Sequence, residues 1–260
     1  MSLDYRPLLL SPLGLIPLGL PGADAQPVNR NTPTTYAPTW AGFYAGLNFG
    51  LNSDQARVTG TNPALGGFLN YCFANNCGGT NSSTATGVIG GIQFGYNFQT
   101  GSVVYGLEAD FDFSSARKST TGPFTLFGGA GTWTINSGIE SLSTLRGRIG
   151  YAFDSSLIYA TGGLAVAKTR HSIQPAVTLF GSGPYSFADA GWRTGYAVGG
   201  GWEYRFARSN WTVRAEALYY DLGTANLVSK TNLGTTAYAF GATDKITGVV
   251  ARFGLNYLFH

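Results

Sequence analysis

Charged and apolar side chains exchange places at every second residue of GGGWEYRFARSNWTVRAEALYYDLG, residues 199–223. Glu203 and Arg205, for example, alternate with Trp202 and Tyr204. A period of two is the signature of a β-strand, because successive side chains of a strand point to opposite faces. Each strand in this stretch therefore has one apolar face and one ionic face.

Such a strand suits two different barrels. In a soluble sandwich or a lipocalin-like barrel the apolar face points inward and the charges meet water. In an outer-membrane barrel the apolar face meets lipid and the charges point inward. The choice between them depends on composition and on the connections between strands.

Composition favours the lipid-facing arrangement. Charged residues make up 11% of the 260-residue chain, aromatic residues make up 14%, and there are 38 glycines. A soluble domain carries about 25% charged residues, so this chain has few charges with which to cover a water-facing surface. No run of about 20 apolar residues follows the N-terminal segment, so membrane crossing by strands is predicted. The net charge of +3 is small and scattered and does not indicate a nucleic-acid partner.

The N-terminus has the features of an exported protein. An apolar stretch precedes Ala23-Asp24-Ala25, which fits the small-x-small cleavage pattern and predicts a signal peptide over 1–25. The alternative is an apolar, disordered leader. Residues 26–39 are rich in Pro, Thr and Asn and are interpreted as a flexible periplasmic lead-in. The barrel domain is predicted over 40–260.

Eight segments have the alternation and the length, about 9 to 11 residues or slightly more, of membrane-spanning strands. They are 40–52, 88–99, 103–114, 140–153, 157–169, 191–206, 211–222 and 246–259. Tight turns alternate with long polar or Gly-rich connections, which lie at about 53–87, 115–139, 170–190 and 223–245. The pattern predicts an all-β fold: an up-and-down, eight-stranded antiparallel transmembrane barrel with short periplasmic turns and long external loops.

Aromatic residues lie beside the tight turns, as in the girdle of a barrel at the periplasmic membrane interface. They are Phe98, Tyr105, Phe153, Tyr159, Phe206, Trp211 and Phe259. The alternative is that these are strand-forming residues with no particular role at strand ends.

The ionic faces of the strands are predicted to meet inside the barrel. The third strand is acidic and its neighbour, the fourth, is basic, which predicts pairing between them. An unpaired buried charge costs several kcal/mol, whereas charges on a solvated sheet face need no partner. The predicted interior network is nearly balanced in sign and consists of Glu108, Asp110, Asp112, Arg146, Arg148, Arg193, Glu203, Arg205, Arg214, Glu216 and Arg252.

Several motifs resemble those of a known family. They are WAGFYAGLNFG at 40–50, GIQFGYNFQ at 91–99, GLEADF at 106–111, TLRGRIGYAFD at 144–154, LIYATGGLAVAK at 157–168, EYRF and WTVRAEALYYDLG within 203–223, and VVARFGLNYLF at 249–259. In this order they resemble the eight-stranded, OmpA-like outer-membrane β-barrel surface proteins of Gram-negative bacteria. The resemblance implies an abundant outer-membrane protein that stabilises the envelope, and it implies porin-like or haem-binding functions for some relatives.

Three functions follow as hypotheses. The favoured one is structural: a non-enzymatic barrel whose loops contact lipopolysaccharide, neighbouring barrels, a second copy of the chain or host molecules, after assembly by the barrel assembly machinery. The first alternative is a narrow porin-like channel gated by Glu108 and Asp110 with Arg146 and Arg148. The second is a module that binds haem or a host ligand through its loops.

Few residues suggest chemistry. Cys72 and Cys77 are close in the first long loop, and in an exported protein this spacing predicts a disulfide. His171 and His260 are the only histidines, so no catalytic base, metal site or cofactor is predicted, and His171 is interpreted as a loop residue. Cations at the external strand ends are candidates for binding lipopolysaccharide phosphates. They are Arg57, Arg117, Lys118, Lys168, Arg170, Lys230 and Lys245.

Overall fold

The fold is a closed antiparallel β-barrel. A computed structural model describes residues 39–61, 81–126, 129–176, 187–233 and 236–259. The strands are β1 (Gly42–Thr61), β2 (Asn81–Thr100), β3 (Val103–Ser114), β4 (Arg117–Leu126), β5 (Gly129–Phe153), β6 (Ser156–Ala176), β7 (Phe187–Arg205), β8 (Trp211–Leu233) and β9 (Thr236–Phe259). Strand β1 pairs with β9 from Phe43 opposite Phe259 to Thr61 opposite Gly241, which closes the ring.

These segments form eight barrel strands, because β3 and β4 are successive parts of one strand. Both pair with β5: β3 pairs with its periplasmic half, and β4 pairs with its external half. Only Ser115 and Ala116 separate β3 from β4. The eight-stranded antiparallel architecture predicted from the sequence is therefore confirmed. Within the described residues, no helix is long and apolar enough to cross a membrane.

The strands extend much further outward than the sequence predicted. Strand β1 continues to Thr61 rather than residue 52, and β5 begins at Gly129 rather than residue 140. The predicted strands ended where outward side chains cease to be apolar. The ladders continue beyond that point with outward Ser, Thr and Gln, since a β-ladder needs only backbone pairing once it has left the lipid.

The outer surface of the barrel has an apolar band that marks the membrane. On β1 the outward side chains are apolar up to Leu51, and on β9 the outward side chains from Val249 to Phe259 are all apolar. On the external side of this band the outward residues are polar, for example Ser53 and Gln55 on β1. We call this band the lipid belt.

Six of the seven aromatic residues predicted beside the periplasmic turns point outward at the edge of the lipid belt. The placement of Tyr159 in this girdle is wrong. Tyr159 is buried, and its hydroxyl donates to Glu216 Oε1 at 3.0 Å. Proximity to a turn does not fix the face of the strand, and Tyr159 shares the inward face of Leu157 and Thr161.

Three inward tyrosines each lie directly opposite a glycine of the neighbouring strand. The pairs are Tyr44 with Gly95, Tyr159 with Gly201 and Tyr220 with Gly248. A Cβ atom built on Gly201 would lie 2.5 Å from the Tyr159 hydroxyl. The phenol ring therefore occupies the space above the glycine, so the two residues are complementary in size.

We predict that Gly201→Ala destabilises the barrel by about 1–3 kcal/mol, because the added methyl group overpacks the interior beside Tyr159. Gly147→Ala is the matched control, since the nearest atom to a Cβ on Gly147 is the carbonyl oxygen of Gly162 at 3.9 Å. Urea unfolding of the refolded barrel in lipid vesicles measures both. Equal stability of the two variants would contradict the size complementarity.

Other predictions fall outside the described residues. They are the signal peptide over 1–25, the lead-in up to residue 38, and the disulfide between Cys72 and Cys77. They remain predictions.

Candidate functional site

The middle of the barrel interior is filled by charged side chains, with Glu108 of β3 at their centre. Glu108 Oε1 accepts a hydrogen bond from Arg146 Nη2 at 2.6 Å and another from Arg214 Nη2 at 3.1 Å. Its second oxygen pairs with Arg214 Nη1 and with Arg148 Nη1. One carboxylate thus contacts three guanidinium groups, from β5 and β8.

The other carboxylates extend this arrangement across the barrel. Glu216 pairs with Arg146 at 3.1 Å and with Arg252 at 2.7 Å. Arg252 also pairs with Asp110 at 3.0 Å and with Asp112 at 2.6 Å. Strands β3, β5, β8 and β9 are therefore tied together by side chains as well as by their backbone ladders.

The network reaches β7 through Arg148, whose Nη2 pairs with Glu203 Oε2 at 2.9 Å. The Arg148 guanidinium also lies over the ring of Tyr159, 4.2 Å from its centroid, and near the ring of Tyr44. A cation over an aromatic face is stabilised by the ring quadrupole, more so where water is excluded. The interior tyrosines therefore act as partners of the charges.

Nine of the eleven residues predicted as the interior network form one connected cluster, which we call the ionic layer. All nine are buried, and the layer contains five carboxylates and four guanidinium groups. Its members are Glu108, Asp110, Asp112, Arg146, Arg148, Glu203, Arg214, Glu216 and Arg252.

Neutral donors satisfy the carboxylates further. Tyr44 donates to Glu108, and Thr144 donates to Asp110 at 2.7 Å. Glu203 accepts from Thr212 and from Asn256 Nδ2. Buried charges are tolerated when they are both paired and hydrogen-bonded, and these donors supply bonds beyond the ion pairs.

Two predicted members of the network lie elsewhere. Arg193 is closer to the external end and pairs with Asp244 Oδ2 at 2.8 Å. Arg205 is at the periplasmic end, where its Nε donates to the carbonyl of Ser209 at 2.9 Å and its Nη2 donates to Asn210 Oδ1 at 3.2 Å. Both face inward as predicted, but their positions along the strands place them above and below the ionic layer.

Apolar side chains lie on both sides of the ionic layer. On the periplasmic side, Trp40 packs with Val104, Leu157 and Tyr159. Gly42 has φ of 125°, a conformation that non-glycine residues rarely adopt, at the start of β1 just after Trp40. The backbone N–H of Trp40 donates to Gln99 Oε1 at 2.6 Å, so the start of the described chain is bonded to the end of β2.

On the external side a larger apolar cluster packs inside the barrel. It consists of Ala56, Ile89, Ile139, Leu142, Ala165, Ala167, Ala197, Leu218, Tyr220, Leu222, Ile246 and Val250. We call the two clusters the lower apolar layer and the upper apolar layer. The interior is thus a stack of apolar, ionic and apolar layers, and buried polar side chains such as Asn52, Asp54 and Ser114 lie beside the upper one.

Sequence reasoning missed several interior residues. The apolar layers were recoverable by counting in steps of two from the charges: Leu218 shares the face of Arg214 and Glu216, and Val250 shares that of Arg252. Asp244 shares the same face of β9. Tyr44 and Gln93 carried no comparable signal, because no charged residue lies near them on their strands.

The predicted external cations differ in their surroundings. Lys168 and Arg170 both pair with Glu140, at 3.3 and 2.6 Å, and Lys245 pairs with Asp221 at 3.0 Å. Lys245 lies outside the lipid belt, and its hydrogen bond to the Asp221 carboxylate raises its pKa. Three of the seven candidates are therefore partly neutralised.

Arg57, Arg117 and Lys118 are exposed and have no carboxylate partner among the residues that the structure describes. Arg57 lies directly opposite Lys245 on the neighbouring strand. His171 and Lys230 fall within β6 and β8, but their side chains lie outside what is described. Within the described ranges, no group of three or more His, Cys, Asp or Glu side chains could hold a metal ion.

The comparison with known protein families agrees with this geometry. The family described as "Outer membrane protein beta-barrel domain" matches residues 31–259. The chain belongs to this family. Like the family, it is a barrel of the bacterial outer membrane.

Two relatives and one solved structure illustrate the similarity. The 31 kDa outer-membrane immunogenic protein of Brucella melitensis is 33% identical over 245 residues, which are 89% of this chain and 90% of the relative. The 22 kDa outer membrane protein of Rhizobium leguminosarum is 30% identical, covering 74% of this chain and 69% of that one. The crystal structure of OprG from Pseudomonas aeruginosa matches with a TM-score of 0.51 and 12% identity, covering 85% of this chain and 97% of OprG, and shows the fold alone.

We predict that Glu108→Gln destabilises the barrel by about 3–5 kcal/mol, because it leaves three buried guanidinium groups without their central carboxylate. Glu140→Gln is the control, since it removes a carboxylate that pairs with two exposed cations, and its effect should be within about 1 kcal/mol. Urea unfolding in vesicles, followed by tryptophan fluorescence, measures both variants. A Glu108→Gln barrel as stable as the control would contradict this account of the ionic layer.

Proposed function

We propose that this protein is a structural, non-enzymatic component of the outer membrane whose interior is a plug rather than a pore. The observation that carries the proposal is the stacking of the ionic layer between the upper and lower apolar layers. An eight-stranded barrel encloses only enough space for side chains, and here those side chains pack from the Trp40 end to the external half. The barrel then contributes to the envelope through the stability of its wall and through the contacts of its external surface.

The plug accounts for the residues better than a gated channel does. A gate formed by Glu108, Asp110, Arg146 and Arg148 would need water-filled approaches on both sides, so that ions could reach it. Trp40 and Leu157 lie on the periplasmic side of these charges, and Leu142 and Leu218 lie on the external side. Dehydrated apolar constrictions oppose ion entry regardless of how the charges between them are paired.

We predict that the refolded protein gives no discrete openings in a planar bilayer and that Arg146→Ser gives none either. The serine variant breaks the ionic layer, but the two apolar layers still occlude the interior. Heat-dependent electrophoretic mobility establishes that each sample is folded, and a general-diffusion porin in the same bilayer is the positive control. Reproducible openings of folded Arg146→Ser would favour the gated channel, and openings of the parent protein would overturn the plug.

The external surface supports a contact with lipopolysaccharide. Arg117 follows the outward, exposed Phe113 by four positions along its barrel strand, which places it just outside the lipid belt. Phosphates of an outer-leaflet lipid lie at this level, and exposed guanidinium groups bind phosphate well. We propose Arg57, Arg117 and Lys118 as the phosphate contacts, and we give Lys168, Arg170 and Lys245 a smaller share because acidic neighbours offset their charge.

We predict that Arg117→Gln combined with Lys118→Gln lowers the amount of lipopolysaccharide that co-purifies with the barrel. The matched control is Lys168→Gln combined with Arg170→Gln, which removes two cations that already share Glu140. Lipid phosphate per folded barrel is the quantity to measure. If both pairs of substitutions leave it unchanged, these cations do not hold the lipid.

The relatives named outer-membrane immunogenic proteins are consistent with a barrel that presents its external end to the outside. Binding of haem or of a host ligand would involve the predicted external connections, in which residues 62–80 and 177–186 lie outside the described residues. That alternative rests on the sequence resemblance alone.

A further inference from the structure

A chain of hydrogen-bonded side chains crosses the external half of the barrel interior. Tyr220 of β8 donates to Asp54 Oδ1 of β1. Asn52 Nδ2 lies 3.1 Å from each carboxyl oxygen of Asp54 and 3.0 Å from Ser114 Oγ of β3. Ser114 Oγ in turn accepts from the backbone N–H of Ala116 at 3.0 Å. We call Tyr220, Asp54, Asn52 and Ser114 the polar bridge.

Two glycines leave the space through which the polar bridge passes. Gly248 of β9 lies directly opposite both Tyr220 and Asp54, and a Cβ atom built on it would overlap the Tyr220 hydroxyl. Gly87 of β2 lies opposite Asn52, on the side that faces β3. The polar bridge therefore joins β8, β1 and β3 over the two strands that lie between them.

Asp54 is a buried carboxyl group in largely neutral surroundings. The residue is 4% exposed. Ala56 lies two positions away on β1, and Ile246 and Val250 flank Gly248 on β9, so the upper apolar layer adjoins the carboxyl group. Its hydrogen-bond donors, Tyr220 and Asn52, are neutral. Among the residues that the structure describes, no arginine or lysine forms an ion pair with Asp54.

The charged groups on the strands around the polar bridge have partners of their own. On β9, Arg252 pairs with Asp112 of β3 and with Glu216 of β8, and Asp244 pairs with Arg193 of β7. The inward residues of β2 nearest the bridge, Ala85 and Ile89, are neutral. The charged groups that face the polar bridge are thus Asp112, Arg193, Glu216, Asp244 and Arg252, and none of their described ion pairs includes Asp54.

A buried carboxylate without a cation is unfavourable, and such a group binds a proton more readily than a solvated one. Asp54 lies just outside the lipid belt, between the outward residues Ser53 and Gln55. Burial raises the pKa of Asp54 to about 6, and the hydrogen bonds from Tyr220 and Asn52 act in the opposite direction. The carboxyl group can therefore gain or lose its proton under mildly acidic conditions.

We propose that Asp54 is a proton-operated switch in the external half of the barrel. With its proton, the carboxyl group is neutral, and the polar bridge holds β8, β1 and β3 together beside the upper apolar layer. Without the proton, a bare carboxylate occupies the same buried position and weakens this half. The ionic layer does not depend on the switch, because its carboxylates are paired with guanidinium groups.

The sign of the pH dependence follows from linkage. An acid whose pKa is higher in the folded barrel than in the unfolded chain binds its proton more tightly when the barrel is folded. The stabilisation by Asp54 is therefore complete below the ordinary pKa of 3.8 and is lost as the pH rises through about 6. The external half of the barrel should be firmer in acid than in neutral medium.

The first test compares the parent with Asp54→Asn, whose amide has the shape of the protonated acid and does not titrate. In urea unfolding in vesicles, the unfolding equilibrium constant of the parent, divided by that of the variant, should rise about a hundredfold from about pH 3.5 to about pH 8. Asp154→Asn is the matched control, since it removes an exposed carboxylate in the turn between β5 and β6. The control should leave the pH dependence of the parent unchanged.

Infrared spectroscopy detects the proton itself. The carbonyl band of a protonated carboxylic acid should disappear from the parent with a midpoint near pH 6, and this component should be missing in Asp54→Asn. Tyr220→Phe should move the midpoint to higher pH, because the phenol donates to the carboxylate and favours its charged form. A midpoint that falls as potassium or calcium is added at constant ionic strength would overturn the proposal in favour of a bound cation.

Hydrogen exchange locates the effect. At about pH 8, backbone amides of β1 from Ser53 to Val58 should exchange about tenfold faster in the parent than in Asp54→Asn, and amides of β1 inside the lipid belt should exchange equally. Equal exchange in the outer segment, or an equal pH dependence of unfolding in parent and Asp54→Asn, would overturn the switch. Neither result bears on the plug, which planar-bilayer recordings test separately.

Discussion

Backbone hydrogen bonding in a medium without water is the constraint on which this structure depends. Strands that cross lipid must pair on both sides, so the ring has to close, and β1 meets β9 from Phe43 opposite Phe259 outward. A ring of eight strands is narrow, so its interior has to be filled by side chains. The charged faces of the strands then have no water to meet and must satisfy one another.

The ionic layer and the apolar layers meet this requirement in different ways. In the ionic layer, Glu108 and Glu216 are each shared among several guanidinium groups, and hydroxyl and amide donors complete the bonding. In the upper apolar layer, side chains such as Leu218 and Ile246 pack as in the core of a soluble protein. The change from one to the other occurs near the external edge of the lipid belt, where the strands leave the bilayer.

Periodicity predicted the eight strands and the inward direction of the charges, because the side-chain period of a strand is two whatever its environment. It could not predict how far the strands continue beyond the membrane, because Ser and Thr are common both in strands that have left the lipid and in loops. Periodicity also could not assign positions along the barrel axis. Arg193 and Arg205 point inward as predicted, but only the strand register shows that they contact Asp244 and Ser209 rather than the ionic layer. Tyr159 shows the opposite error, in which position along the strand was considered without the face.

The burial of Trp40 has a consequence for how the barrel is assembled. This indole lies inside the periplasmic end of the barrel, against Val104 and Leu157, two residues before Gly42 and the first strand. Strand β1 completes the ring by pairing with β9, a contact between the two ends of the barrel sequence that is among the most costly in loop-closure entropy. Trp40 can pack in the lower apolar layer only after β1 has paired with β2 and β9. The burial of Trp40 at the periplasmic end therefore accompanies the closure of the ring.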